Sequence, residues 1–264
     1  MYIDVHTHLT HEKFNQDLEQ VITRAEAAGV LSLVVNGLEP NSNRLILQLA
    51  KQHNSIIPAL GIYPIDAVNG LVKDLPFPVA TFDVDKELDF IESQVKLGHV
   101  KAIGECGLDG YWVKENTFSE QERVFERLIQ ISLSADIPII VHTRKLEKRS
   151  IEILAHHNVK KVNFHCYGGK VKLAIRSAEE FGWYFSIPAN ARKNQAFTKM
   201  LLELPESSIL TETDAPFLSP TQGERNEPKN VVETVKYLAE LKGWKTETAK
   251  ELIWKNFQRL FSLV

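Results

Sequence analysis

Six side chains able to hold metal ions fall at the ends of short apolar runs. His6 and His8 close the first run, Tyr2-Ile3-Asp4-Val5-His6-Thr7-His8. Residues two apart on a strand face the same side, so these imidazoles project together as a pincer. Glu105 closes Ala102–Glu105, His142 closes Ile137–His142, His165 closes Val162–His165 and Asp214 closes Ile209–Asp214. Any one of them read alone is a buried polar residue hydrogen-bonded in a core. Together they form a donor set suited to zinc, manganese and similar divalent ions. Six donors are too many for one catalytic ion with an open position, and suit two ions that share a carboxylate. His11, His53, His99, His156 and His157 lie in loops or helices and are read as ordinary histidines.

Those ends must be brought to one place. Eight short β-rich runs alternate with helical stretches: Tyr2–His8, Leu31–Asn36, Ile56–Gly61, Ala102–Glu105, Ile137–His142, Val162–His165, Trp183–Ser186 and Ile209–Asp214. Apolar stripes at helical spacing lie between them, such as Leu18, Val21, Ile22 and Ala25, and Val124, Phe125, Leu128 and Ile131. Thr117 with Glu120, or Ser119 with Glu122, and Thr248 with Glu251 have the spacing of capping boxes. Strict alternation implies parallel strands with crossover helices, and eight such units close most simply into a (β/α)8 TIM barrel, one domain over residues 1–264. An open doubly wound sheet would announce a Gly-rich loop after its first strand, where this chain has His-Thr-His-Leu. In a barrel the strand ends share one mouth, and the long irregular stretches Tyr63–Pro78, Asp109–Thr117 and Pro216–Lys229 follow strands onto that face.

Composition is ordinary for a globular protein, at 44% hydrophobic and 25% charged. A net charge of −3 gives no overall basic field, so any polyanion contact must be local. Two cysteines, Cys106 and Cys166, make no disulfide scaffold and suit a reducing compartment; each follows a candidate ligand and so points away from the mouth. No apolar run approaches the ~20 residues of a membrane span, and no signal peptide is evident. The expectation is a cytoplasmic protein with no membrane contact and no obligate protein partner. Arg144, Lys145, Lys148 and Arg149 read as a solvated helix face, or as a phosphate contact beside the metals. Tyr111 and Trp112 either cover the rim or stack a base. By strand parity Asp4 and Glu212 face inward below the ligands, where they are expected to orient imidazoles.

Asp4-Val5-His6-Thr7-His8-Leu9, Gly104-Glu105-Cys106-Gly107-Leu108-Asp109, His142-Thr143-Arg144, His165-Cys166-Tyr167 and Glu212-Thr213-Asp214-Ala215-Pro216-Phe217-Leu218 resemble the TatD family of metal-dependent hydrolases. Arg225-Asn226-Glu227-Pro228 and Asn256–Phe261 extend the resemblance to almost the whole chain. It implies an amidohydrolase-like barrel that hydrolyses phosphodiesters, a deoxyribonuclease or exonuclease acting on DNA ends. Carried over by position, His6, His8 and Asp214 hold one metal, His142 and His165 a second, and Glu105 bridges them. The ions would be Zn, Mg or Mn. Asp214 would accept the proton of the attacking water, and Arg144, Tyr63, Asp109 and Arg225 would contact substrate. Three positions depart from the family's pattern: Tyr63 stands for a frequent histidine, Lys145 for an acidic residue, and Ser186–Asn190 lacks a usual glycine. Amide or ester hydrolysis of a small molecule, or a metal-containing quality-control or binding protein, are the competing readings.

Overall fold

Alternation of strand and helix leaves each strand to pair in parallel with the next, and the chain does so throughout. The computed structural model describes residues 1–73 and 75–263; Asp74, in the long stretch after the third strand, and Val264 lie outside the described residues. The strands are β1 (Tyr2–Thr7), β2 (Val30–Asn36), β3 (Ile56–Leu60), β4 (Ala102–Asp109), β5 (Ile139–Arg144), β6 (Val162–His165), β7 (Tyr184–Pro188) and β8 (Ile209–Glu212). They form one parallel sheet in sequence order. The ring closes just beyond the strand ends, where Asp214 N–H donates to His6 O at 2.9 Å and His8 N–H to Ala215 O at 2.8 Å. This is the expected (β/α)8 barrel.

The helices are α1 (Leu18–Ala27), α2 (Pro40–Gln52), α3 (Val84–Lys96), α4 (Phe118–Ala135), α5 (Glu147–His156), α6 (Val171–Phe181), α7 (Gln195–Glu203), α8 (Val231–Lys242) and α9 (Thr246–Leu260). Each lays an apolar stripe on the sheet; α4 buries Val124, Phe125, Leu128, Ile129 and Ile131. Truncating a fully buried ring such as Phe125 or Phe164 to alanine costs about 3–5 kcal/mol. Among the described residues no helix is long and apolar enough to cross a membrane.

Two expected helix starts are corrected. Thr117 precedes α4, but its Oγ1 donates to Lys114 O at 2.8 Å instead of capping, and Ser119 lies inside the helix. Helix α9 begins at Thr246, which places Thr248 in its first turn. Spacing alone cannot separate a cap from a first-turn residue; the box that forms is Glu39 with Ser42 at α2. The fourth strand also runs past its expected end at Glu105 to Asp109 and is buried along its length. Gly107 permits this: its φ is +138°, and a Cβ there would run into the carbonyl of His142 on β5.

Candidate active site

The six donors come together, but not all at strand ends: His165 ends β6 and His6 is next to last in β1, Glu105 and His142 lie inside β4 and β5, and His8 and Asp214 lie just beyond β1 and β8. Asp214 lies two residues beyond β8, at φ +55°, a conformation that Asp and Asn tolerate better than most residues. Its Oδ1 faces His8 Nε2 at 3.3 Å and His6 Nε2 at 3.7 Å. The two imidazole nitrogens are 3.1 Å apart. Glu105 sends Oε2 towards this group, 3.3 Å from both His6 Nε2 and His8 Nε2. Its other oxygen, Oε1, meets a second group: His142 Nδ1 at 3.0 Å and His165 Nε2 at 3.1 Å, with those nitrogens 3.4 Å apart. One carboxylate thus serves two donor sets. Gly61 makes room for it, because a Cβ there would collide with the backbone of Glu105.

The residues fit divalent cations. An ion bound tetrahedrally at ~2.0–2.1 Å sets its donor atoms ~3.3–3.4 Å apart, close to the spacings within both sets. The groups His6, His8, Glu105 and Glu105, His142, His165 each satisfy metal-site proximity. The close packing of these groups shifts their protonation in opposite directions. Burial and the stacked ring of His165 push His6 down to about 3. Burial opposes charge on His8 too, but Asp214 and Glu105 outweigh it and push that histidine up to about 10. Glu105 is held well below the usual range: burial opposes its charge, and the surrounding histidines overcome it. Imidazole nitrogens and carboxylate oxygens that converge this way point lone pairs at a common centre, the arrangement a divalent cation binds.

The family model for TatD related DNase matches residues 3–262. This chain belongs to the TatD-related DNase family. Human "Deoxyribonuclease TATDN3" is 32% identical over 263 residues, covering 98% of this chain and 94% of the relative. "Uncharacterized metal-dependent hydrolase YabD" of Bacillus subtilis is 32% identical over 269 residues, covering 100% of both chains. Among solved structures, the Escherichia coli TatD homologue YJJV superposes with a TM-score of 0.85 at 23% identity, covering 99% of this chain and 98% of that one.

Behind the donors of this TatD barrel lie buried carboxylates, of which Asp109 holds a ring. Glu212 Oε1 faces His165 Nδ1 at 3.7 Å, beyond hydrogen-bond reach, and neither atom has a hydrogen-bond partner among the described residues. Asp4 departs from expectation. It accepts hydrogen bonds from the backbone N–H and the hydroxyl of Thr213, so it ties β1 to the turn that carries Asp214 and orients no imidazole. Asp109, expected at the substrate, is fully buried with Oδ2 3.0 Å from His142 Nε2. Its Oδ1 accepts the N–H groups of Tyr111 and Trp112 at 2.7 and 2.9 Å.

The other expected substrate residues of the TatD resemblance separate. Tyr63 stands edge-on to His142, with ring centroids 4.9 Å apart. Burial and nearby carboxylates push its phenol above the ordinary range, so it is neutral. Arg144 is exposed, and its guanidinium lies 3.5 Å above the ring of Tyr111. Arg225 faces elsewhere: its guanidinium binds Lys13 O at 2.5 Å, Asp17 at 2.7 and 2.8 Å, and Glu227 at 3.1 Å, none of them a donor of the cluster. The basic run after β5 also divides, since Arg149 is pinned to Glu122 and Lys148 to Glu152, as on a solvated helix face. Cys106 packs in the core and Cys166 against it; both are free thiols. His11 is outside the cluster, and its Nδ1 accepts from Lys13 N–H. Sequence reasoning gave no role to Gly61 or Phe217; a glycine just after a strand was the one signal available for the first.

Proposed function

We propose that this chain hydrolyses phosphodiester bonds in DNA, acting from strand ends, with two divalent ions (Zn, Mg or Mn) at the barrel mouth. The observation that carries this reading is Glu105 facing one donor set with each carboxylate oxygen. His6, His8 and Asp214 would hold one ion and His142 and His165 the other, with one Glu105 oxygen towards each set. Three donors, Glu105, His142 and His165, would leave room for water or substrate on an ion held there. Bound there, the ions neutralise phosphoryl charge and lower the pKa of water towards ~7. Asp214 turns Oδ1 to His6 and His8, and its second oxygen accepts the proton of the attacking water. Tyr63, neutral and beside His142, offers a hydroxyl and no charge. Residues 1–264 act as one catalytic unit, in the cytoplasm, a compartment that two free cysteines suit.

The test is metal-loaded protein on 5′- and 3′-labelled oligonucleotides with Mg, Mn and Zn compared, beside simple esters and cyclic amides. A ladder shortening from one end supports the proposal. Turnover of esters or cyclic amides with no oligonucleotide cleaved would contradict it.

A further inference from the structure

The hydrolytic cluster accounts for phosphate chemistry but leaves two exposed aromatic rings unexplained. Phe217 is 44% exposed although it is a large apolar side chain. It stands three residues after Asp214, its N–H donating to Asp214 O at 2.8 Å. Its ring is edge-on to His8, with centroids 6.4 Å apart, and to His11 at 5.3 Å. Lys13 Nζ lies 5.6 Å from the ring centroid. Tyr111 is 50% exposed and belongs to the other donor set, since its N–H is held by Asp109, which also faces His142. The Arg144 guanidinium covers it at 3.5 Å, and Trp112 backs it edge-on at 4.8 Å. Trp112 in turn packs edge-on against Phe77, 5.1 Å away, so the platform is braced. Each end of the cluster therefore carries one exposed ring and one cation.

We propose that Phe217 and the Tyr111–Arg144 stack each take one unpaired base, on opposite sides of the phosphodiester that lies against the donor cluster. This rests on the phosphodiester reading and adds which residues meet the bases. An exposed ring beside a hydrolytic centre offers substrate a flat apolar face to cover. A nucleobase is a flat apolar face joined to an anion, and it matches a ring with a cation beside it. A base paired in a duplex has its faces occupied by neighbours, so the platforms select single strands or frayed ends. Stacking tolerates any base. Arg225 gains a purpose in this arrangement: by holding Lys13 O it anchors the turn that places Lys13 over Phe217.

The experiment compares a single-stranded oligothymidylate with a fully abasic strand of the same length, which keeps the phosphates and removes the bases. Wild type, Phe217→Ala, Phe217→Trp, Tyr111→Ala and Tyr111→Phe are assayed for kcat and KM. Affinity is measured separately by anisotropy with phosphorothioate-linked versions that resist hydrolysis. Wild type should prefer the base-bearing strand, and each alanine variant should reduce that preference about tenfold through KM and affinity, the scale of one lost stacked base. The aromatic replacements should restore it. Equal losses on both strands, or a preference unchanged in the alanine variants, would overturn the proposal. Base-dependent binding that persists in a protein with no turnover would support the platforms while removing the hydrolase reading beneath them.

Discussion

Asp109 Oδ2 lies 3.0 Å from His142 Nε2, while Nδ1 of the same ring stands 3.0 Å from Glu105 Oε1. The imidazole is held on one edge and offers its lone pair on the other. Asp109 also fixes Tyr111 and Trp112 through Oδ1, so it needs two acceptor oxygens. Asparagine has one and must abandon either the ring or the turn. Asp109→Asn should therefore weaken metal binding at the His142–His165 set or lower turnover by about 10–100-fold. Metal titration beside kcat checks this; unchanged affinity and rate would mean the ring holds its place without help.

Asp214 is the expected proton acceptor. Asparagine suits φ +55° and keeps one carbonyl oxygen, so Asp214→Asn should fold and retain metal at the His142–His165 set. Turnover should fall about 10²–10⁴-fold, as for loss of a positioned base. A rate within tenfold of wild type, with metals bound, would move the proton acceptor to another group.

Gly61 exists for the Glu105 backbone it touches. Gly61→Ala must displace either β4 or the turn after β3. Overpacking of this kind costs about 1–3 kcal/mol, and turnover should fall at least tenfold because Glu105 shifts. Gly70→Ala is the matched control, since a Cβ there meets nothing. Thermal melts and kcat of both variants test the contrast, and equal behaviour of the pair would remove the steric argument.

A half-buried aspartate, Asp66, gives a pH dependence with a definite sign. Burial first, then the charges of Glu39 and Glu105, raise Asp66 from an ordinary 3.8 to about 7. A carboxyl that keeps its proton longer in the folded than in the unfolded chain stabilises fully below its ordinary value. That contribution is lost as pH rises through about 7. Asp66→Asn keeps an acceptor for Ala80 N–H and cannot ionise, so its Tm should gain on wild type between pH 5 and pH 8. Melting both proteins across that range checks the direction; a gap that narrows at pH 8 would contradict it.

Much of this site could be read from period-two geometry alone, because a barrel converts strand ends into one mouth. His6 and His8, one strand apart from Asp214, needed only parity and closure to meet. What parity could not supply was the end of β4. Gly104 and Gly107 lower strand propensity there, so the sequence alone ends the strand at Glu105 and puts Asp109 in a loop at the substrate. Its even offset from Glu105 along the strand places it inward, against His142. Arg225 illustrates a different limit: its carboxylate partners Asp17 and Glu227 come from separate elements, and no spacing announces such an ion network. Thr117 and Thr248 show that capping residues are chosen by where the helix begins, which packing decides.

The central claim is that Glu105 joins two metal sites that carry out phosphodiester hydrolysis. The direct test strips the protein with chelator, titrates Mn or Zn back and follows bound metal and single-stranded oligonucleotide turnover together. Turnover should vanish on chelation and return with a plateau at two ions per chain, while Glu105→Ala should lose both occupancy and rate. Full turnover in the stripped protein, or a rate that saturates with one ion bound and survives Glu105→Ala, would contradict it.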